Sequence, residues 1–183
     1  MRINHNNLGD YMIRAMEFQN IPFEAIYASV QGTITNISSV SQNGCVQLFE
    51  LKQTNGQTTT FTVFPQTYFI NGKKAEVGMT ATFYYDTTLP VPLIYPPRYA
   101  AIAAVVGNVP YNVKIDYFDE NLLSQDGSLH LNLSRETNVI LQNGQSFIGT
   151  LGNQNLIVLY TSSTRSIPAQ TTPETIIILR PLF

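Results

Sequence analysis

The chain has 183 residues, enough for one large domain or two small ones that bury a core without disulfide bonds or bound metals. Hydrophobic residues make up 44% of it and charged residues only 12%, so the composition is globular, with amides and hydroxyls supplying much of the polarity. The formal net charge is −2, and its 10 Lys and Arg form no basic stripe for a nucleic acid, which we do not expect as a partner. The single cysteine, Cys45, excludes an intrachain disulfide.

Residues 1–25 form an N-terminal segment for which we predict one short helix. Apolar side chains recur at helical spacing over residues 7–19, and Asn7 is a suitable N-cap. Pro22 ends the pattern. The first residues lack the continuous apolar run of a secretory signal, so the sequence leaves localisation open between a particle or spore layer and the cytoplasm.

Residues 26–106 read as five short strands separated by turns. Alternating β-branched and aromatic residues predict strands at 26–37, 46–51, 59–64, 81–86 and 99–106. The Asn-Gly pairs at Asn55 and Asn71 supply the positive φ angles of tight turns. The fifth run, Tyr99 to Val106, is the longest apolar stretch. It is far shorter than the ~20 residues that cross a bilayer, so we predict no membrane span.

The strand order and spacing of residues 26–106 resemble those of bacterial OB-type barrels. The resemblance rests on Gly32-Thr33-Ile34-Thr35, Leu48-Phe49-Glu50-Leu51, Phe61-Thr62-Val63, and Gly78 ahead of Phe83-Tyr84-Tyr85. It implies a small five-stranded barrel whose outer face binds bases or sugars when aromatic rings are exposed there. Alternation places most of the rings in the core instead. The helix usual between strands three and four of such barrels does not fit between Asn71 and Gly78.

Residues 111–183 form a second predicted β unit. Strand-like runs lie at 111–118, 129–133, 137–141, 156–160 and 175–179. An internal echo links the units, because Thr67, Ile70, Gly78, Tyr84, Pro92 and Pro97 recur in order as Thr137, Ile140, Gly149, Tyr160, Pro168 and Pro173. The second unit is either a degenerate repeat of the barrel or a set of strands that completes it. The predicted fold is therefore mostly β, an OB-like barrel followed by a second β unit, with a short N-terminal helix.

Motifs for chemistry are weak in this sequence. The densest acidic group comprises Asp116, Asp119, Glu120 and Asp126, which we interpret as a solvated turn, since it lacks the calcium-loop pattern of an EF-hand. The two histidines lie far apart, and no nucleophile elbow, phosphate loop or dinucleotide fingerprint occurs. We predict no catalytic residues, no metal, no cofactor and no enzymatic activity.

Two apolar segments are candidates for binding a partner. The proline-rich loop carries Leu93, Ile94 and Tyr95, which are costly to leave in water. The C-terminal run contains Ile177 and extends to Phe183, and it is either a central strand buried on both faces or an addition to the sheet of a neighbouring copy.

These features predict a non-enzymatic structural or assembly protein. A surface with so few charges repels its own copies weakly. We expect a self-associating subunit of a bacterial or phage particle, spore layer or surface appendage, with itself or another particle protein as partner. The alternative is an OB-like module that binds an oligosaccharide or another ligand. Clustered exposed Tyr and Phe on the second and third strands would favour that alternative.

Overall fold

The described chain is mostly β, as predicted. A computed structural model describes residues 26–40 and 42–180. Their strands are β1 (Tyr27–Ser39), β2 (Gln47–Lys52), β3 (Thr58–Phe69), β4 (Thr80–Asp86), β5 (Arg98–Val106), β6 (Asn112–Phe118), β7 (Leu129–Leu131), β8 (Asn138–Leu141), β9 (Gln154–Tyr160), β10 (Ala169–Thr171) and β11 (Thr175–Ile178). The predicted helix over residues 7–19 lies outside the described residues.

Strands β1 to β5 close into a barrel in the order β1-β2-β3-β5-β4, with β4 returning to β1. The pairing of β3 with β5 is parallel, and the other pairings in the barrel are antiparallel. Alternation sends one face of each strand inward, where three phenylalanine rings fill the barrel. The ring of Phe83 lies 5.0 Å from that of Phe61 and 5.5 Å from that of Phe49.

The second unit contains a four-stranded sheet in the order β6-β9-β11-β8. Strand β11 lies between β9, to which it is antiparallel, and β8, to which it is parallel. Strand β5 lies in the same way between β4 and β3 of the barrel. The outer pair β6–β9 is antiparallel, as is β1–β4. Four strands of the second unit therefore repeat the order and directions of four strands of the barrel.

The four-stranded sheet is covered on both faces. Ile115, Ile157 and Ile177 belong to a cluster that packs on the outside of the barrel at Ile102 and Val105. On the opposite face, an apolar cluster includes Phe118, Leu156 and Ile176 together with the leucines of β7. Because this sheet separates two apolar layers, its inner strands β9 and β11 contain nearly continuous apolar runs.

Candidate functional site

The loop between β4 and β5 raises three apolar side chains into solvent. Leu93 is 103% exposed, Tyr95 88% and Ile94 49%, and we refer to these three residues as the apolar ridge. Val91, on the same loop, is also exposed. The four prolines of the loop restrict its backbone and lack the amide donors that a further strand would need. The loop that the sequence predicted to be apolar and stiff therefore carries apolar side chains that are exposed to solvent.

Both ends of the ridge loop are tied to the barrel. The amide and hydroxyl of Thr87 donate to the carbonyl of Ile26 at 2.8 and 2.9 Å, next to the start of β1. At the other end, the amide of Thr60 in β3 donates to the carbonyl of Pro97 at 2.9 Å. Within the crest, the amide of Ile94 donates to the carbonyl of Pro92 at 2.9 Å. These bonds hold the ridge at one end of the barrel.

A stacked pair of tyrosines forms the base of the ridge loop. The rings of Tyr85, near the end of β4, and Tyr99, near the start of β5, lie 4.1 Å apart and 25° from parallel. Both rings also contact Phe61, the innermost ring of the barrel, at 6.1 and 5.9 Å. Burial raises the pKa of the Tyr85 hydroxyl, and the neighbouring Tyr99 adds to the rise. A packed pair of aromatic rings thus connects the ridge loop to the barrel core.

A cavity opens at the opposite end of the barrel. It measures about 520 Å³, and its apolar wall comes from Ile37, Phe49, Phe69, Ala75 and Val77. Its rim carries Gln47, Lys73, Lys74 and Glu76. We call it the barrel-end cavity. The Lys74 ammonium and the Glu76 carboxylate lie 3.5 Å apart and are both exposed, so this pair contributes little to stability.

The barrel-end cavity exists because the segment between β3 and β4 forms no helix, as the sequence predicted. Residues 70–79 close the barrel as an irregular loop, in which Ala75 packs against the cluster inside the barrel and Ile70 against the cluster outside it. Gly78 ends the loop with φ +92°, and its amide donates to the carbonyl of Ile34 at 2.8 Å. Since a positive φ suits glycine, this residue turns the chain into β4.

Ile177 does not contribute to an available surface. Its side chain is 1% exposed and lies in β11, between β8 and β9. Of the two sequence interpretations, the central strand is therefore correct, and the strand added to a neighbour is wrong for Ile177. Phe183 lies outside the described residues. Arg180, the last described residue, lines a cavity of about 340 Å³ between the barrel and the sheet.

The outer face of β2 and β3 carries few aromatic side chains. The side chains that alternate with core residues on these strands face away from the barrel interior: Leu48, Glu50, Lys52, Thr60, Thr62 and Phe64. Phe64 is the ring among them; farther along β3, Tyr68 also faces outward but packs in the cluster shared with the second sheet. The exposed aromatic cluster that would favour base or sugar stacking therefore does not occur on this face of the described strands. A groove of about 610 Å³ beside it is lined mainly by threonine, glutamine and asparagine side chains of β1 and its neighbours.

The acidic group is partly buried, so its interpretation as a solvated turn is wrong for Asp116. Asp116 is 1% exposed, and burial raises the pKa of its carboxyl although the Lys114 ammonium lies 3.4 Å away. Burial also opposes ionisation of Asp126, but hydrogen bonds from Lys114, Ser128 and Ser124 outweigh it and hold the pKa of Asp126 far below its ordinary value. The cluster is a structural link between β6 and the turn before β7. Among residues 26–40 and 42–180, no group of three or more His, Cys, Asp or Glu side chains is arranged to hold a metal ion.

Comparison with known proteins leaves the function open. No protein-family model matches the chain, and no curated protein matches it either. The part of the chain described by the structure has no helix that is both long and apolar enough to cross a membrane.

The sequence predicted the ridge but not the barrel-end cavity. Proline and apolar residues in one short loop were a local signal for Leu93, Ile94 and Tyr95. The cavity walls come from β1, β2, β3 and the following loop, so no local pattern marks them. The available signal was the short spacing between the third and fourth strands, which leaves no room for a covering helix.

Proposed function

We propose that this chain is a structural subunit that self-associates through its apolar ridge. The supporting observation is the exposure of Leu93, Ile94 and Tyr95 on a loop anchored at both ends. Large apolar side chains grouped on a rigid protrusion are typical of interaction surfaces. The 12% charged fraction lets copies approach each other with little repulsion. The proposed context is a bacterial or phage particle, spore layer or surface appendage.

The size of the ridge predicts a weak individual contact. Full burial of a large apolar side chain contributes about 1.5–3 kcal/mol, so three of them contribute about 5–9 kcal/mol. Association costs about 4–15 kcal/mol in lost freedom of motion, which cancels most of that gain. The contact is therefore weak, and the protein should associate in a concentration-dependent way.

Size-exclusion chromatography with light scattering tests this proposal. We expect the apparent mass of the native chain to rise with concentration, and Leu93→Asn to suppress that rise by exposing an amide where an apolar contact forms. Ile167→Asn is the matched control, because Ile167 is 96% exposed on a different loop. A native chain that stays strictly monomeric at high concentration contradicts the proposal, as does equal suppression by both substitutions.

We also propose that the barrel is of the OB type and that the second unit is its degenerate repeat. The closed order β1-β2-β3-β5-β4, with β3 parallel to β5, supports the first part. The matching strand directions in the second sheet support the second part. Sequences of relatives would test the repeat, because duplicated halves should keep the six echoed pairs in register. Relatives in which that register is lost would count against it.

The alternative function, an OB-like module for an oligosaccharide, has one feature in its favour. The groove beside β1 offers amide and hydroxyl groups that could bind a hydroxyl-rich ligand. The neighbouring face lacks the exposed aromatic platform that usually accompanies sugar binding, because Phe64 is the one ring described there apart from Tyr68, which packs against the second sheet. We therefore rank self-association first; binding to a glycan array that is weakened by Thr33→Val would reverse the order.

A further inference from the structure

We propose that the apolar ridge of one copy inserts into the barrel-end cavity of a second copy, so that subunits associate head to tail. This inference rests on the proposed self-association and adds the surface that receives the ridge. The ridge is a protrusion of Leu93, Ile94 and Tyr95. The cavity is a depression with an apolar wall of aliphatic and aromatic side chains. One surface is an apolar protrusion and the other an apolar depression, so the two match in polarity.

Because of the positions of the two surfaces, the ridge of a subunit cannot reach the barrel-end cavity of the same subunit. Strand β4 begins at Thr80, just after the loop that lines the cavity, and ends at Asp86, just before the ridge loop. Its 7 residues separate the two loops by about 20 Å at 3.3 Å per residue. A ridge and a cavity at opposite ends of one barrel can meet only between copies. Such a contact is heterologous and leaves a free ridge and a free cavity at the ends of every chain of subunits.

Electrostatics allow this contact. From Thr87 to Pro97 the ridge loop carries no charged side chain, so it brings no ionic group that would have to be desolvated. The charges of the cavity, on Lys73, Lys74 and Glu76, stand at its rim. Lys74 is 86% exposed and can remain in water while the apolar wall is covered. A contact between two ridges would leave the part of the cavity wall at Phe69 and Val77 in water.

Thiol crosslinking distinguishes head-to-tail contacts from the alternatives. The native Cys45 is exposed in the loop before β2, at the cavity end of the barrel. Val91→Cys places a second thiol beside the ridge. With a short bismaleimide, we expect the Val91→Cys chain to form a ladder of dimers, trimers and larger species on a denaturing gel. The native chain and the double variant Cys45→Ser, Val91→Cys should remain monomeric.

Each departure from this pattern overturns the head-to-tail arrangement. Dimers of the double variant would show ridges meeting ridges, and dimers of the native chain would show cavity ends meeting each other. Absence of a ladder from a chain that light scattering shows to be oligomeric would contradict the head-to-tail contact and leave self-association intact. A chain that is monomeric by light scattering would contradict the proposed function itself. The four outcomes separate the two proposals.

A mixing experiment tests the two surfaces together. Leu93→Asp removes the ridge contact, and Val77→Glu places a charge on the exposed wall of the cavity without touching the core. We expect each variant alone to associate about tenfold more weakly than the native chain. An equimolar mixture should form dimers, since one chain contributes an intact cavity and the other an intact ridge. A mixture that stays monomeric although the native chain associates would overturn the inference.

Discussion

The hydroxyl of Thr67 makes two hydrogen bonds where the regular pairing of β3 with β5 is interrupted. Regular pairing of these parallel strands is interrupted between Val63 and Tyr68. In that gap the Thr67 hydroxyl accepts from the amide of Phe64 at 3.0 Å and donates to the carbonyl of Ala101 at 2.7 Å. One buried side chain thus bonds to two backbone groups where the register of the two strands is irregular.

Thr137 makes the same pair of bonds in the second unit. Its hydroxyl accepts from the amide of Ser134 at 3.2 Å and donates to the carbonyl of Pro173 at 2.9 Å. This threonine precedes β8, which runs parallel to β11 as β3 runs parallel to β5. The sequence echo between the two threonines therefore corresponds to one local structure, which supports the proposed repeat.

Removal of these hydroxyls should destabilise the fold. We expect Thr67→Val, which keeps the side-chain shape, to lower the free energy of unfolding by about 1–3 kcal/mol, because the Phe64 amide and the Ala101 carbonyl each lose a hydrogen bond. Thr137→Val should cost less, since its site is less buried. Thr62→Val, on the outer face of β3, is the control and should stay within about 0.5 kcal/mol. Urea unfolding measures all three; equal values for Thr67→Val and the control would refute the role of the hydroxyl.

Tyrosines between the barrel and the sheet should make stability depend on alkaline pH. Burial raises the pKa of Tyr84 from 10.0 to about 12, with a further contribution from Tyr111. Below about pH 10 the phenol is neutral in both states; between pH 10 and 12 the unfolded chain loses the proton first, so rising pH favours unfolding. Between about pH 9 and about pH 11 we expect Tyr84→Phe to remove about 1–1.5 kcal/mol of this loss. Denaturant unfolding at about pH 9 and about pH 11 measures it, and an identical pH dependence in both chains would contradict the assignment.

At the scale of elements, local sequence patterns predicted a strand well where the burial of β-branched and aromatic side chains alone determines it. The runs at 81–86 and 99–106 became β4 and β5 because β-branched and aromatic residues there fill the barrel interior and the interface. Strand β10 was missed because Ala169–Thr171 is short and polar, and pairs only with β7. Its strand conformation depends on a neighbour 40 residues away in sequence, which periodicity does not reveal.

Burial of single residues was harder to predict than the strands that carry them. Free cysteines are usually buried, but Cys45 is exposed in the loop before β2, which begins at Gln47. Ile177 belongs to an apolar run that suits either an interior strand or a free edge. Only its pairing on both sides identifies it as interior. The barrel-end cavity likewise depends on closure of the barrel, which joins residues from distant segments.

At the scale of the whole molecule, the barrel and the second sheet share one hydrophobic cluster. Ile102 projects from the outer face of β5 and is 4% exposed, and it belongs to the same cluster as Ile115, Ile157 and Ile177 of the sheet. Separation of the two units would expose this cluster to water, at a cost of about 25 cal/mol for each Å² of apolar surface. The two units should therefore unfold together.

Site-specific probes test this coupling. One fluorescent label is attached to Cys45 in the barrel, and another to the second unit in the Cys45→Ser, Ser162→Cys chain. We expect both labels to report the same urea midpoint, and Ile102→Ala to lower the free energy of unfolding by about 2–5 kcal/mol at both positions. Leu93→Ala, at an exposed site, should leave both midpoints in place. If Ile102→Ala lowers the midpoint for the barrel label alone, the shared cluster does not couple the units, and each folds on its own core.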